Sequence, residues 1–315
     1  MPTIEQQKLI SHHMTDENIE QIITKIALRI KEQGDKPFVT VERQLQLLAQ
    51  LTQFGFGRFL LCHQGINGYW THYMLTQPTS ANNKLNDKGK PLAELEHFIL
   101  NSAPTMLATQ QRFKLFLQEN QKQVKPGARL ACIPCGLMGE LLYLHYQGCE
   151  NITLVGLDYD QGTLKDAASL AHQMQLSPLV ELNQGDAWAM KSENEFDLIS
   201  SNGLTIYEPD DNKVIALYRL FFNALKDGGK LVTSFLTPPP TYTEKSEWDM
   251  AQINQEHLLL QKIIFADIIE AKWQCYRSTM QVQKQLELAG FDSVEFIYDQ
   301  ARMFPTVVAN KGNPT

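Results

Sequence analysis

The sequence predicts an α/β fold built on a mostly parallel sheet, and three observations support this prediction. From Arg129 onward, short apolar runs typical of strands alternate with helical patterns, which indicates βαβ units. The first run ends in a glycine-containing turn, and a helical pattern begins at once at Glu140. The next two runs lead into aspartates, Asp158 and Asp186. Because the carboxyl ends of parallel strands meet at one edge of a sheet, the pattern predicts a nucleoside-type ligand there.

Seven strand-like runs follow one another in this part of the chain. The first begins at Arg129, and the others cover 152–157, 179–182, 196–200, 230–236, 293–298 and 304–309. Only a few residues separate the last two runs, so they are predicted to form an antiparallel hairpin. After the fifth run, Pro238 to Pro240 stop the strand and a long helical pattern covers 250–276. Ser278 and Gln281 then form the capping box of a further helix, which closes at Gly290.

Residues 1–122 are predicted to be helical. Thr15 precedes an amphipathic stripe of isoleucines that begins at Ile19 and closes at Gly34, and a second stripe runs from Val41 and stops at Gly55. Further helical patterns follow an aromatic-rich stretch and a polar loop. The predicted domains are a helical region, 1–122, and an α/β domain, 123–315, which carries a helical insertion at 237–277 between strands five and six.

Composition restricts the class of protein. The net charge of −7 and the sequence pI near 5.6 argue against nucleic acid and anionic membrane as partners. The N-terminus lacks a basic region followed by an apolar core, and no apolar run approaches the roughly 20 residues of a membrane span. We therefore expect a cytoplasmic protein, with no prediction of its oligomeric state.

Five cysteines are odd in number and scattered, which is not typical of a disulfide framework. Cys132 and Cys135 do form a C-x-x-C pair before a helix, as in redox-active proteins. The alternative is that Cys132 is a strand residue and Cys135 a small turn residue. We favour it because the strand ends that follow are typical of a site for a nucleoside-type ligand. No second Cys/His pair at ligand spacing follows, so no metal site is predicted.

These residues in this order resemble the class I S-adenosylmethionine-dependent methyltransferase family. The resemblance covers about residues 124–310 and implies a seven-stranded, mostly parallel Rossmann-like sheet whose antiparallel last strand enters between strands five and six. It implies S-adenosylmethionine as cofactor, with the glycine-rich turn at 132–139, an acid for the ribose at Asp158 and an adenine contact at Asp186. The implied cofactor-binding residues are Pro134, Cys135, Gly136, Gly139, Asp158, Tyr159, Asp186, Ala187, Ser201 and Asn202.

The sequence departs from the family pattern at two positions in the turn. Cys132 stands where the family has an acid at the end of the first strand, and Pro134 stands where it has its first glycine. That acid normally helps to order the loop and the amino group of the methionine moiety.

Some of these residues also have structural interpretations. Asp186 is suited to cap the helix that begins at Ala187, and Asp158 to be an ordinary solvated residue at a strand end. Asp160 is better suited to cap a helix than to bind a ligand. Asp210 and Asp211 are more typical of a helix start than of a metal site.

The function predicted first is methyl transfer from S-adenosylmethionine to a small-molecule nucleophile by in-line displacement. The alternatives are an NAD-dependent oxidoreductase on a related sheet, which Pro134 disfavours, and a non-catalytic methyltransferase-like scaffold. The N-terminal region and the insertion are predicted to cover the acceptor pocket. Their candidate lining residues are Tyr69, Trp70, His72 and Tyr73, and Trp248, Trp273, Tyr276 and Arg277. His72 is the candidate general base, with Tyr207 as a second catalytic candidate after strand four.

Overall fold

The computed structural model of the chain describes residues 18–273 and 275–312. Helices occupy the first part of these residues, and strands alternate with helices from Arg129 onward. The α-helices are α1 Ile19–Gln33, α2 Val41–Leu51, α3 Gly55–His63, α4 Gly68–Thr76, α5 Glu94–Asn101, α6 Pro104–Gln121, α7 Gly139–Leu142, α8 Gln161–Gln173, α9 Asp211–Ala224, α10 Gln255–Lys262 and α11 Thr279–Ala289. The strands are β1 Arg129–Cys132, β2 Thr153–Asp158, β3 Val180–Gln184, β4 Phe196–Ser201, β5 Leu225–Ser234, β6 Ser293–Ile297 and β7 Thr306–Asn310.

The strands form one sheet in the order β3-β2-β1-β4-β5-β7-β6. The first five strands run parallel to one another, and β7 runs antiparallel to both β5 and β6. The predicted α/β fold with an antiparallel last strand between strands five and six is confirmed, as is the final hairpin. From β1 the chain first adds β2 and β3 on one side of the sheet. It then crosses back and adds β4 and β5 on the other side of β1, so the strand order reverses at β1. Ligands bind at such a switch point in open α/β sheets.

Apolar side chains cover both faces of the sheet. On one face Val214 and Phe221 of α9 pack with Leu286 of α11 in a fully buried cluster. On the other face Phe116 of α6 and Leu170 of α8 pack with residues of β1 and β2. Strands buried on both faces are apolar almost throughout, which explains why the sequence shows these strands as continuous apolar runs.

The chain divides into two compact units. One contains the described residues up to Leu107 together with Ile253–Trp273, and the other contains Ala108–Gln252 together with the described residues from 275 onward. The predicted domain boundary at 122/123 differs from this grouping, since most of α6 belongs with the sheet. Part of the predicted insertion also belongs with the N-terminal helices. The domain boundaries themselves remain a prediction.

Contacts within the first unit join its two stretches of chain. Arg29 forms an ion pair with Glu270, and the Lys36 ammonium lies 2.8 Å from a carboxylate oxygen of Asp267. The Gln64 side-chain amide donates to the carbonyl of Ile269 at 3.0 Å.

Two helix predictions differ from the structure. The second stripe ends at Leu51, and Gly55 begins the next helix instead of closing this one. The helical pattern at 250–276 divides into a 3₁₀ turn, α10 and a π-helical segment Ile263–Ile268, because the Asn254 side chain caps α10 at its start. Thr15 lies outside the described residues, and Asn18 caps α1 with a capping box to Gln21. Within 18–273 and 275–312, every helix is too short or too polar to cross a bilayer.

Candidate functional site

The turn after β1 rests directly on the end of β2. Its course needs two residues in the left-handed region, Gly136 at φ 49° and Met138 at φ 59°. The Cys135 N–H donates to the carbonyl of Leu157 at 2.8 Å, which fixes the turn against the neighbouring strand. A Cβ on Gly156 of β2 would lie 2.8 Å from the Met138 sulfur and 3.2 Å from the Cβ of Cys135, so the turn and the strand approach each other closely there.

Asp158 is the acid at the end of β2, and it is buried. One of its carboxylate oxygens accepts from the Gly136 N–H at 3.0 Å, and the other accepts from the Asp160 N–H at 3.0 Å. Asp160 in turn caps α8 through the N–H groups of Gly162 and Thr163, as the sequence predicts. The geometry excludes the solvated strand-end interpretation of Asp158, because the carboxylate is held between the turn and the start of α8.

Asp186 follows β3 and makes the capping contact that was its alternative interpretation. Its carboxylate accepts from the Trp188 N–H at 2.9 Å, at the start of a short 3₁₀ turn, Ala187–Ala189. Ala187 is buried in the cluster below α9, whereas Asp186 and Tyr159 are exposed. Capping occupies one carboxylate oxygen, so it is compatible with the predicted adenine contact.

The end of β4 brings Asn202 beside two other segments of the chain. Its side-chain Nδ2 donates to Oε1 of Glu140 at 2.7 Å, and its Oδ1 accepts from the Ser234 hydroxyl at 3.2 Å. The neighbouring Ser201 is buried, and its hydroxyl has no hydrogen-bond partner among the described residues. Hydrogen bonds to Glu140 and from Ser234 therefore fix the orientation of the Asn202 amide, whose NH₂ group points toward the Glu140 carboxylate.

Glu140 is the functional candidate that the sequence analysis missed. It is the second residue of α7 and is buried, and its Oε2 accepts from the thiol of Cys132 at 2.9 Å. Burial raises the pKa of the Glu140 carboxyl, while the hydrogen bonds from Cys132 and Asn202 and the charge of Arg112 oppose that shift. A glutamate directly after the glycine turn, followed by two buried leucines, is the sequence signal that could have identified it.

Arg112 is a buried cation on α6 in the same cluster. One guanidinium nitrogen lies 3.4 Å from the Ser234 hydroxyl, and the guanidinium carbon lies 4.5 Å from the centre of the Phe304 ring. Its Nε has no hydrogen-bond partner among the described residues. Burial lowers the pKa of Arg112 to about 10, and the negative charge of Glu140 acts against this shift. A cation and an anion thus share one buried region at the carboxyl edge of the sheet.

Cys132 at the end of β1 and Cys135 in the turn are buried, and neither forms a disulfide within the described residues. Burial raises the pKa of both, and the nearby carboxylates of Glu140 and Asp158 raise them further. Because the thiolate is the reactive form, this environment favours the structural interpretation over the redox one.

The predicted pocket residues of the second unit are held by specific contacts. Arg277 donates to the Asp211 carboxylate and to the carbonyls of Thr205 and Glu208. The indole N–H of Trp248 donates to the Thr237 hydroxyl at 3.0 Å. Tyr207 is half-buried in the 3₁₀ turn that follows β4.

The predicted aromatic residues of the first unit pack against other residues of that unit. Trp70 stacks on Phe56, and the Tyr73 hydroxyl donates to the buried Glu96 at 2.9 Å. His72 is half-buried on α4, and burial lowers its pKa, which favours the neutral imidazole that a general base requires. The catalytic roles of His72 and Tyr207 remain predictions.

Comparison with known proteins identifies a matching family profile and two similar proteins. Residues 133–290, just over half of the chain, match the protein-family profile described as a methyltransferase domain. A crystal structure described as a possible exported protein from Bordetella parapertussis is 42% identical, with a TM-score of 0.87, and the match covers 93% of this chain and 95% of that one. Phosphoethanolamine N-methyltransferase 1 from Arabidopsis thaliana is 25% identical over 185 residues, which cover 56% of this chain and 36% of that protein. The chain thus spans about a third of the length of this curated relative.

Proposed function

Because this chain belongs to the S-adenosylmethionine-dependent methyltransferase family, whose cofactor is S-adenosylmethionine, we propose that it transfers the cofactor's methyl group to a small-molecule nucleophile. The observation that carries the proposal is the convergence of Asp158, Glu140 and Asn202 around one glycine turn at the switch point of the sheet. Each is polar and at least partly buried, and each is oriented by hydrogen bonds within the protein.

The residues present fit this cofactor. Asp158 ends β2 with a buried carboxylate, which suits vicinal hydroxyls, and Asp186 ends β3 with an oxygen able to accept from an amino group. At the other end of the turn, the carboxylate of Glu140 and the guanidinium of Arg112 provide charges of both signs, and the Nε of Arg112 is without a partner among the described residues. These donors and acceptors match a nucleoside that carries an amino-acid group.

The cofactor, when bound, supplies an activated methyl group on a sulfonium. The protein therefore needs to align the acceptor and to exclude water, and it needs a base only where the acceptor carries a proton to be removed. Asp158 would hold the ribose of the bound cofactor on one side of the turn, and Asn202 would lie at its methionine end on the other side. The buried surroundings of the turn favour exclusion of water from that region.

For the acceptor side we propose His72 as the general base and Tyr207 as a polar group near the reacting atoms. The lowered pKa of His72 supports a neutral imidazole near pH 7. His72→Ala and Tyr207→Phe are expected to reduce turnover of an identified acceptor by about 10²-fold or more where a base is needed, without a comparable change in cofactor affinity. Full turnover in both variants would place the acceptor chemistry elsewhere.

The cofactor and the reaction class are tested by two measurements. S-adenosylhomocysteine at about 100 times its Kd is expected to stabilise the protein by about 2.7 kcal/mol, and NAD is expected to leave the melting temperature unchanged. Stabilisation by NAD alone would favour the oxidoreductase alternative. Incubation with a radiolabelled donor and a metabolite mixture that includes phosphoethanolamine and simple amines then tests transfer. Binding without transfer to any acceptor would favour the scaffold alternative.

A further inference from the structure

We propose that Glu140 takes the place of the missing strand acid and binds the ammonium group at the methionine end of the cofactor, while Arg112 binds its carboxylate. This assignment depends on the proposed function and makes it more specific. It would mean that the turn of this chain recognises a zwitterion through side chains of α7 and α6, with the strand residue Cys132 in a supporting role.

The position of the Glu140 carboxylate supports the first half of the proposal. Its Oε2 lies 2.9 Å from the sulfur of Cys132, at the position in β1 where the family carries its acid. A carboxylate on the helix thus reaches the place that a carboxylate on the strand would occupy. The chain keeps an acid at this end of the turn but supplies it from a residue eight positions later.

The hydrogen bonds of Glu140 leave capacity for a ligand. An ionised carboxylate has about four acceptor positions, and Cys132 and Asn202 occupy one on each oxygen. Both donors are neutral, so neither compensates the charge of the buried carboxylate. A buried charge is stable only with a partner of opposite sign, and an ammonium group provides both the charge and additional donors.

The second half of the proposal, that Arg112 binds the carboxylate of the cofactor, depends on a buried positive charge that needs a negative partner. Arg112 is almost fully buried, and among the described residues its Nε has no hydrogen-bond partner. Its hydrogen bond to the Ser234 hydroxyl is long at 3.4 Å. Arg112 and Glu140 influence each other electrostatically, yet they form no ion pair within the described residues. An α-amino-acid group carries one charge of each sign and would satisfy both side chains at once.

The competing explanation is that Glu140 is a structural residue that only orients Asn202 and the turn. The two explanations differ in which ligands they affect. S-adenosylhomocysteine carries the amino-acid group, whereas 5′-methylthioadenosine has the same nucleoside and sulfur without it. A residue that binds the ammonium group affects the first ligand alone, and a residue that shapes the turn affects both.

The test is titration calorimetry of the full chain with both nucleosides. In Glu140→Gln, the Kd for S-adenosylhomocysteine is expected to rise by about 10-fold or more, because a charge-assisted hydrogen bond is lost. The Kd for 5′-methylthioadenosine is expected to change by less than about 2-fold, which also shows that the variant is folded. Arg112→Gln is expected to give the same selective loss.

A control and a rescue complete the design. Glu119→Gln makes the same chemical change at another buried glutamate, on α6, and is expected to leave both affinities unchanged. Adding Cys132→Asp to Glu140→Gln returns the acid to the strand and is expected to recover most of the lost affinity for S-adenosylhomocysteine.

Three outcomes would overturn the assignment. Equal losses for both nucleosides in Glu140→Gln would show a structural role, and an unchanged affinity for S-adenosylhomocysteine would show no role. If the wild-type chain bound neither nucleoside, the proposed function would fail together with the assignment. In the first two cases, binding by the wild type would leave the proposed function intact.

Discussion

The ends of β1 and β2 lie side by side in the sheet, yet each provides an acid to the candidate site in a different way. At β2 the acid is Asp158, a residue of the strand itself, and backbone N–H groups of Gly136 and Asp160 hold its carboxylate. At β1 the strand ends in Cys132, and the acid is Glu140 from the following helix, held by side chains.

The two acids therefore differ in what holds them: backbone N–H groups hold Asp158, and side chains hold Glu140. The N–H groups that hold Asp158 are available whatever side chains the turn carries, so the acid at β2 depends on the course of the chain. The acid at β1 depends on Cys132 and on Asn202, 62 residues away from Glu140. Substitutions can therefore remove the groups that hold the acid at β1, whereas the N–H groups that hold the acid at β2 are present for any residue except proline.

The largest effect is expected at the backbone-held acid. Asp158→Ala removes an ionised acceptor of the ribose hydroxyls and is expected to cost about 1.5–3 kcal/mol of affinity for S-adenosylhomocysteine. Because the ribose is common to both nucleosides, 5′-methylthioadenosine should be weakened equally, in contrast to Glu140→Gln. Calorimetry measures both, with Asp166→Ala on the exposed face of α8 as control. Unchanged affinity for S-adenosylhomocysteine would remove Asp158 from the site.

The second prediction concerns pH and the helix-held acid in the ligand-free protein. Because the folded pKa of Glu140 is raised above its ordinary value of 4.5, this group stabilises the fold fully below pH 4.5, and the contribution is lost as pH rises through the folded pKa. A tenfold difference in the acid dissociation constant between the folded and unfolded states corresponds to about 1.4 kcal/mol. The unfolding free energy of the wild type should therefore fall relative to Glu140→Gln as pH rises. Denaturant titrations from pH 4 upward (about 0.5-unit steps) measure this, and a constant or increasing difference would contradict it.

The smallest effect is expected at Asp186, the exposed acid after β3. Asp186→Asn keeps an oxygen that can cap the 3₁₀ turn and accept from an adenine amino group, since Asn and Asp are about equally good caps. Cofactor affinity and melting temperature are expected to stay close to the wild type, with a change below about 0.5 kcal/mol. A loss of cofactor affinity comparable to that of Asp158→Ala would contradict this, because it would show that the negative charge of Asp186 is needed for binding.

The sequence allowed the fold and the β2 end of the site to be predicted because both depend on local pattern. Alternating apolar runs identify the strands, and Asp158 is recognisable because it ends such a run. The antiparallel β7 was predictable for the same reason, since the short link after β6 allows only a hairpin.

The β1 end of the site was not predictable in this way. Glu140 lies in a short helix among leucines, and its partners come from β1, from the end of β4 and from α6. These contacts depend on tertiary packing, and the sequence shows only that a glutamate directly follows the glycine turn. The π-helical segment at Ile263–Ile268 was missed for a related reason, because its apolar residues fit a helix of either kind.

The first unit of the structure has a consequence for the order in which the chain acquires its structure during synthesis. Residues 253–273 pack with the N-terminal helices, and Arg29 and Lys36 find their acidic partners, Glu270 and Asp267, in that late stretch. A ribosome delivers the whole of β1 to β5 before these partners emerge. This unit can therefore be completed only after β1 to β5 have been synthesised, and a chain released after β5 would leave it unfinished.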